Sequence, residues 1–157
     1  LLSHPVKGPG VGLLGFSKGD EVPLAKVAFL KNIVAGFSPV GTKATNSKFL
    51  DYFDVMDDPF QAPGNQSLIP LEKAEAQLLF LVGQDDRVVK SDYATEVCKI
   101  LQAQGKGNFQ ILSYPGTGHP VFHKRAILGG EFWAYSKAQV HAWSQIQAFF
   151  KKHLIGN

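Results

Sequence analysis

The sequence predicts an α/β fold, a mostly parallel sheet with flanking helices, and three observations carry that expectation. Short apolar runs alternate with amphipathic stretches along 157 residues, the pattern of strands joined by helices that pack on the sheet faces. The run Leu78-Leu79-Phe80-Leu81-Val82-Gly83 is continuously apolar, as a strand buried on both faces must be. Ser17, the Asp85-Asp86 pair and His119 each fall just beyond the C-terminal end of an expected strand. That is the edge where open α/β sheets gather their chemistry.

In chain order, a strand at 10–15 leads through a tight turn into a helix over about 20–31. A weaker strand follows at Ile33-Val34-Ala35-Gly36-Phe37 and ends at Ser38-Pro39. Residues 38–48 are small and polar and read as a loop, 49–56 as a short helix, and Pro59, Pro63-Gly64 and Pro70 punctuate an irregular stretch. The strand at 78–83 precedes a helix over about 91–104, closed by Gly105. Phe109-Gln110-Ile111-Leu112-Ser113-Tyr114 forms the next strand, running into Pro115-Gly116-Thr117-Gly118-His119. The last helix is expected from Ser136 to about His153. Val140, Trp143, Ile146, Phe150 and Leu154 form an apolar stripe at three- and four-residue spacing that should dock on the sheet.

Gly15-Phe16-Ser17-Lys18-Gly19 directly follows the apolar Val11-Gly12-Leu13-Leu14. G-x-S-x-G in that place is the pattern of a nucleophile elbow, where glycines permit a tight strand-to-helix turn that lifts the serine Oγ above the sheet edge. The backbone N–H groups opening the next helix then face the reacting carbonyl. A nucleophilic serine needs a base and an orienting acid, and here they follow in the order Ser, Asp, His. Taken singly, Asp85-Asp86 reads as a solvated turn capping the helix near Ser91, and His119 as a loop surface residue. The ordered triplet outweighs those readings.

Hydrophobic content of 45% and charged content of 18% over 157 residues fit one globular domain. The single cysteine, Cys98, excludes an internal disulfide framework and fits a reducing compartment. Within a helix it reads as a small packed residue. Net charge is +3 and the pI about 9.0, but the lysines are scattered, which disfavours a nucleic-acid surface. A weak positive field still suits a polyanionic substrate. No run is long and apolar enough for a membrane span, and no signal peptide is recognisable. Asn65-Gln66-Ser67 is read as a chance sequon. His119 and His123 are spaced i, i+4, but Pro120 between them opposes the helix a metal pair would need. His4, His141 and His153 read as surface residues. No Cys/His cluster, phosphate-binding glycine loop or dinucleotide fingerprint is present, so no metal or cofactor is expected.

Taken together, several segments resemble the C-terminal domain of the acyl-CoA thioesterase and bile acid-CoA:amino acid N-acyltransferase family. They include His4-Pro5, Val6-Lys7-Gly8-Pro9-Gly10, Leu14-Gly15-Phe16-Ser17-Lys18-Gly19, Phe29-Leu30-Lys31 and Ser67-Leu68-Ile69-Pro70-Leu71-Glu72-Lys73-Ala74. Further matches are Phe80-Leu81-Val82-Gly83-Gln84-Asp85-Asp86, Tyr114-Pro115, Thr117-Gly118-His119, Gly129-Gly130-Glu131 and Ala138-Gln139-Val140-His141-Ala142-Trp143. The resemblance implies a partial α/β-hydrolase fold acting on acyl-CoA thioesters through Ser17, His119 and Asp86. The family motif places the acid at Asp86, and the spacing Gly83-x-x-Asp86-x-x-Val89 agrees.

This sequence departs from the family pattern at Asp20, at Pro23 in the first turns of the elbow helix, in a shortened 38–60 segment and in a shortened stretch after His119. Pro23 is expected to remove a backbone bond there and crowd the preceding turn. The chain begins Leu1-Leu2-Ser3 without methionine. The expectation is therefore that residues 1–157 are the C-terminal half of the catalytic domain, without the family's N-terminal β-sandwich or its earlier strands. One oxyanion donor is then identifiable, the Lys18 backbone N–H, and a missing N-terminal region or an oligomer contact is expected to complete the site. The expected activity is acyl-CoA hydrolysis through an acyl-enzyme. Its alternatives are transfer of the acyl group to an amino acid, which that branch of the family performs with cysteine at the nucleophile position, and a non-catalytic remnant or interaction module. An intracellular setting is expected, cytoplasmic first, with peroxisome and mitochondrion open.

Overall fold

Four parallel strands, β1 (Val11–Leu14), β2 (Ile33–Ser38), β3 (Gln77–Gly83) and β4 (Phe109–Tyr114), lie in one sheet in the order β1-β2-β3-β4. The computed structural model describes residues 10–16, 21–30, 33–38, 70–87, 92–119, 121 and 129–155. The expected loop at 39–48 and short helix at 49–56 lie outside them. Sequential order with every strand parallel requires a crossover after each strand, and helix α1 (Glu21–Phe29) supplies the first, between β1 and β2. Helix α2 (Asp92–Ala103) follows β3, and α3 (Phe132–Phe150) follows β4, continuing into a wider π turn over Lys151–Ile155. A short 3-10 turn, Leu71–Lys73, leads into β3.

The period-two alternation of the central strands splits the core into two layers. Leu78 and Phe80 of β3 face Leu24, Val27 and Ala28 of α1 and Cys98 and Leu101 of α2, with Phe109 and Ile111 of β4 packed alongside. Leu79 and Leu81 point the other way, onto Ala138, Ala142, Ile146 and Phe149 of α3. A continuously apolar strand is what such two-sided burial requires.

Pro23 does not interrupt α1. The helical run Glu21–Phe29 continues through Pro23 without a break, and the residues preceding Glu21 lie outside the described ones. Helix α2 closes as expected at Gly105, with φ of 73°. Gly105 N–H donates to Gln102 O at 2.9 Å and Lys106 N–H to Leu101 O at 2.9 Å, the two bonds of a Schellman cap.

The stripe expected on the last helix is partly wrong. Ile146 is buried and Phe150 packs on the core, but Val140 is 75% exposed and Trp143 40%. The helix begins four residues early, at Phe132, and docks through Tyr135, Ala138, Ala142, Ile146 and Phe149, a face about a quarter turn away. Alanines at 138 and 142 allow close approach to the sheet, and close approach decides burial more than side-chain hydrophobicity does. Farther along, Gly12 of β1 has no Cβ where the Phe150 ring lies, since an added Cβ would sit 2.6 Å from Cε1. The end of the helix thus lies across the β1 edge.

Candidate active site

All four strands run the same way, so β1, β3 and β4 end on one edge of the sheet. There the loops after β3 and β4 are tied together. Gln84 N–H donates to Tyr114 O and Asp85 N–H to Thr117 O, each at 3.0 Å. Gly83 is where the two loops touch, and a Cβ would collide with the carbonyl oxygens of Thr117 and Gly118. A third segment closes over them. Thr117 bridges antiparallel to Gly130, and Glu131 N–H donates to Gly116 O at 2.7 Å. Gly129 and Gly130 adopt φ of 95° and 79°, a region costly for residues with a Cβ. A Cβ on Gly129 would strike the Asp85 carbonyl oxygen. Two positive-φ glycines are thus required to lay 129–131 against the Asp85-Asp86 turn and the His119 loop.

Within this frame His119 Nδ1 lies 2.7 Å from Asp86 Oδ2, and the two side chains are 6% and 2% exposed. A carboxylate only accepts, so Nδ1–H is the donor and the neutral imidazole carries its lone pair on Nε2. That tautomer can act as a general base. The neighbouring Asp85 keeps an exposed side chain and contributes through its backbone. The reading of Asp85-Asp86 as a solvated turn therefore holds for Asp85 alone, and His119 is a buried residue rather than a surface one.

Tyr135 was not singled out by sequence reasoning. It is 2% exposed, and its hydroxyl donates to Gly129 O at 3.2 Å. Its phenol pKa is raised, first by burial and further by the Asp86 charge, while a hydrogen bond with the Gly118 backbone opposes the rise. The phenol therefore stays a neutral donor that fixes the segment over His119 and Asp86. The only sequence signal nearby was Gly129-Gly130, whose partners are set by tertiary contact.

Ser17 and Lys18 lie outside the described residues. The chain leaves β1 through Gly15, which is buried, and Phe16, which packs on the cluster containing Leu81, Tyr114 and Val121. Cys98 is buried and its thiol pKa is pushed up to about 11 by desolvation, so it is a packing residue and not a nucleophile. His141 is exposed, as expected, and its Nδ1 lies 3.1 Å from the Tyr114 hydroxyl. Among the described residues no group of three His, Cys, Asp or Glu side chains could hold a metal, and His4 and His123 fall outside them. Among those residues too, no helix is long and apolar enough to cross a membrane.

Residues 37–156 match the family model described as BAAT / Acyl-CoA thioester hydrolase C terminal. Acyl-coenzyme A thioesterase 5 of Mus musculus is 43% identical, covering 100% of this chain and 47% of its own length. Mitochondrial acyl-coenzyme A thioesterase 2 of Homo sapiens is 44% identical over 100% of this chain and 41% of its length. Peroxisomal succinyl-coenzyme A thioesterase of Mus musculus is 40% identical over 98% of this chain and 47% of its length. The chain spans about half the length of the curated relatives it matches. Among solved structures, an acylaminoacyl peptidase of Pyrococcus horikoshii superposes with a TM-score of 0.68 at 17% identity, over 97% of this chain and 25% of the peptidase. At that identity the likeness shows the fold, an α/β-hydrolase sheet.

Proposed function

The chain belongs to the family described as BAAT / Acyl-CoA thioester hydrolase C terminal, and from that premise we propose that it carries the nucleophile, base and acid of an acyl-CoA thioester hydrolase. The observation that carries the proposal is the buried 2.7 Å contact between His119 Nδ1 and Asp86 Oδ2 at the carboxyl edge of the parallel sheet. Structural ion pairs are also found buried, but this one leaves its imidazole in the tautomer a base needs.

In the proposed reaction His119 Nε2 takes the Ser17 hydroxyl proton as Oγ attacks the thioester carbonyl carbon. Asp86 stabilises the imidazolium that forms. The carbonyl oxygen becomes an oxyanion, and the Lys18 backbone N–H donates to it. Collapse breaks the C–S bond, and the CoA thiolate leaves with the proton held by His119. Water then attacks the acyl-serine with His119 as base again, the C–O bond to Ser17 breaks as His119 returns the proton to Oγ, and the free acid departs. The family resemblance places the second oxyanion donor upstream of β1. Serine at position 17 favours water over an amine acceptor, because an alkoxide is a poorer leaving group than a thiolate and the acyl-serine is correspondingly less reactive. An intracellular setting is proposed with this activity. The buried, reduced Cys98 is compatible with it, and the relatives named above include a mitochondrial and a peroxisomal enzyme.

The test is hydrolysis of a chain-length series of acyl-CoAs beside Ser17→Ala, with a fluorophosphonate probe and peptide mapping. Adduct on Ser17 and loss of turnover in Ser17→Ala are expected. Labelling at another serine in a folded chain would overturn the assignment.

A further inference from the structure

An open cavity of about 590 Å³ is lined by the end of β4, by Glu131 and by one flank of α3. That volume is within the range of small-molecule sites. Its wall combines Tyr114, Trp133, Lys137, His141 and Glu131 with Pro115. The chemistry is unusual for a surface hollow. Trp133 is 75% exposed and meets Phe132 in a T-shaped pair, with ring centroids 5.6 Å apart and planes at 84°. The exposed indole leaves a broad apolar surface in water at the cavity mouth. Lys137 is exposed and makes no ion pair among the described residues.

The polar groups have a definite sense. Burial pushes the Tyr114 phenol up to about 12, so it keeps its proton. It can then donate across the 3.1 Å contact to His141 Nδ1, which leaves the imidazole proton on Nε2 as a further donor. A cation and a ring N–H are thus presented beside an aromatic face. Glu131 supplies one acceptor, because its carboxylate makes no capping hydrogen bond to α3. Cation and N–H donors suit phosphate oxygens. An aromatic face suits a purine ring, and a single acceptor suits its exocyclic amine.

We propose that this cavity binds the phosphorylated adenosine end of the CoA substrate, with Trp133 against the base, Lys137 and His141 at phosphate and Glu131 at the adenine amine. The inference rests on the acyl-CoA reading above and gives that substrate a second point of attachment. The reach is right. Pro115 and His119 are four residues apart, so the extended chain allows at most about 14 Å between them. The pantetheine arm from thioester sulphur to first phosphate has about thirteen bonds, the backbone of roughly four extended residues, or about 14 Å. A mildly basic chain of net charge +3 also favours such an anion over a neutral ligand.

The test separates this site from the catalytic one. Adenosine 3′,5′-bisphosphate, which lacks any thioester, is titrated into the chain by calorimetry, and Ser17→Ala is titrated in parallel. Both should bind alike, whatever the fate of the triad reading. Lys137→Ala and Trp133→Ala should each weaken binding on the order of tenfold, the size of one charge-assisted hydrogen bond or one aromatic contact. Where turnover is measurable, acyl-CoA should show a lower KM than acyl-pantetheine, and Lys137→Ala should narrow that ratio about tenfold. Circular dichroism confirms that the variants are folded. No binding at millimolar concentration, equal affinity for inorganic phosphate, or binding that ignores both substitutions would each overturn the proposal. Loss of acyl-CoA and acyl-pantetheine turnover with nucleotide binding intact would strike the catalytic reading and leave this one standing.

Discussion

Replacing Asp86 by Asn tests the site where the structure is most exacting. The substitution keeps the shape of the side chain while removing a charge that is 2% exposed and 2.7 Å from His119 Nδ1. In the proposed reaction Ser17 gives up its proton and the imidazole becomes a cation beside that carboxylate. With charge centres about 4 Å apart and an effective dielectric of about 20, the attraction is worth ~4 kcal/mol, close to a thousandfold in rate. Asn brings a second penalty, because its amide N–H can donate to Nδ1 and hold the imidazole in the tautomer that cannot accept at Nε2. The two together predict a fall in kcat on the order of 10⁴, the size found for the corresponding change in a serine protease. The matched control is Asp85→Asn. That side chain is exposed, and the structural work of the residue is done by its backbone N–H on Thr117 O, so its kcat should stay within about threefold. Both variants are assayed on one acyl-CoA at saturating substrate, with thermal melts to confirm folding. Equal losses, or a larger loss in Asp85→Asn, would refute the reasoning that burial has selected Asp86 as the orienting acid.

Gly129→Ala should lower stability by about 3 kcal/mol or more, because the new Cβ meets the Asp85 carbonyl at a backbone φ of 95°; urea midpoints at constant slope give the value. Tyr135→Phe removes one buried donor from Gly129 O and should cost about 1–3 kcal/mol, read by the same denaturation. Cys98 should resist a disulfide reagent at pH 8 in the native chain and react fully in denaturant, since its thiol is buried with a pKa of about 11. The same shift has a sign in stability. The thiol ordinarily titrates at 9.0 and in the fold at about 11, so its contribution is complete below pH 9 and is lost as pH rises through 11. Thermal melts across that range should fall less steeply in Cys98→Ala, and an unchanged slope would show that other groups govern the alkaline loss.

The strands were legible because their signals are local. β3 is continuously apolar from Leu78 to Val82, β4 matches its expected bounds at Phe109–Tyr114, and Gly105 closes α2 through bonds that depend only on neighbouring residues. Asp86 and His119 fall just after β3 and β4 as their spacing indicated, whereas Ser17 lies outside the described residues. Whatever depended on segments far apart in the chain was beyond local pattern. The family motif and the spacing after Gly83 already pointed to Asp86, but what turns it rather than Asp85 inward is the loop after β4, which accepts the Asp85 N–H and leaves the Asp86 carboxylate against His119. Gly129, Gly130 and Tyr135 acquire their roles only when that segment crosses both loops. The face of α3 was misjudged for the same reason. Hydrophobicity favoured Val140 and Trp143, whereas the sheet admits the helix most closely at Ala138 and Ala142. Periodicity determines that a helix has an apolar face, and the shape of the surface it meets determines which face is buried.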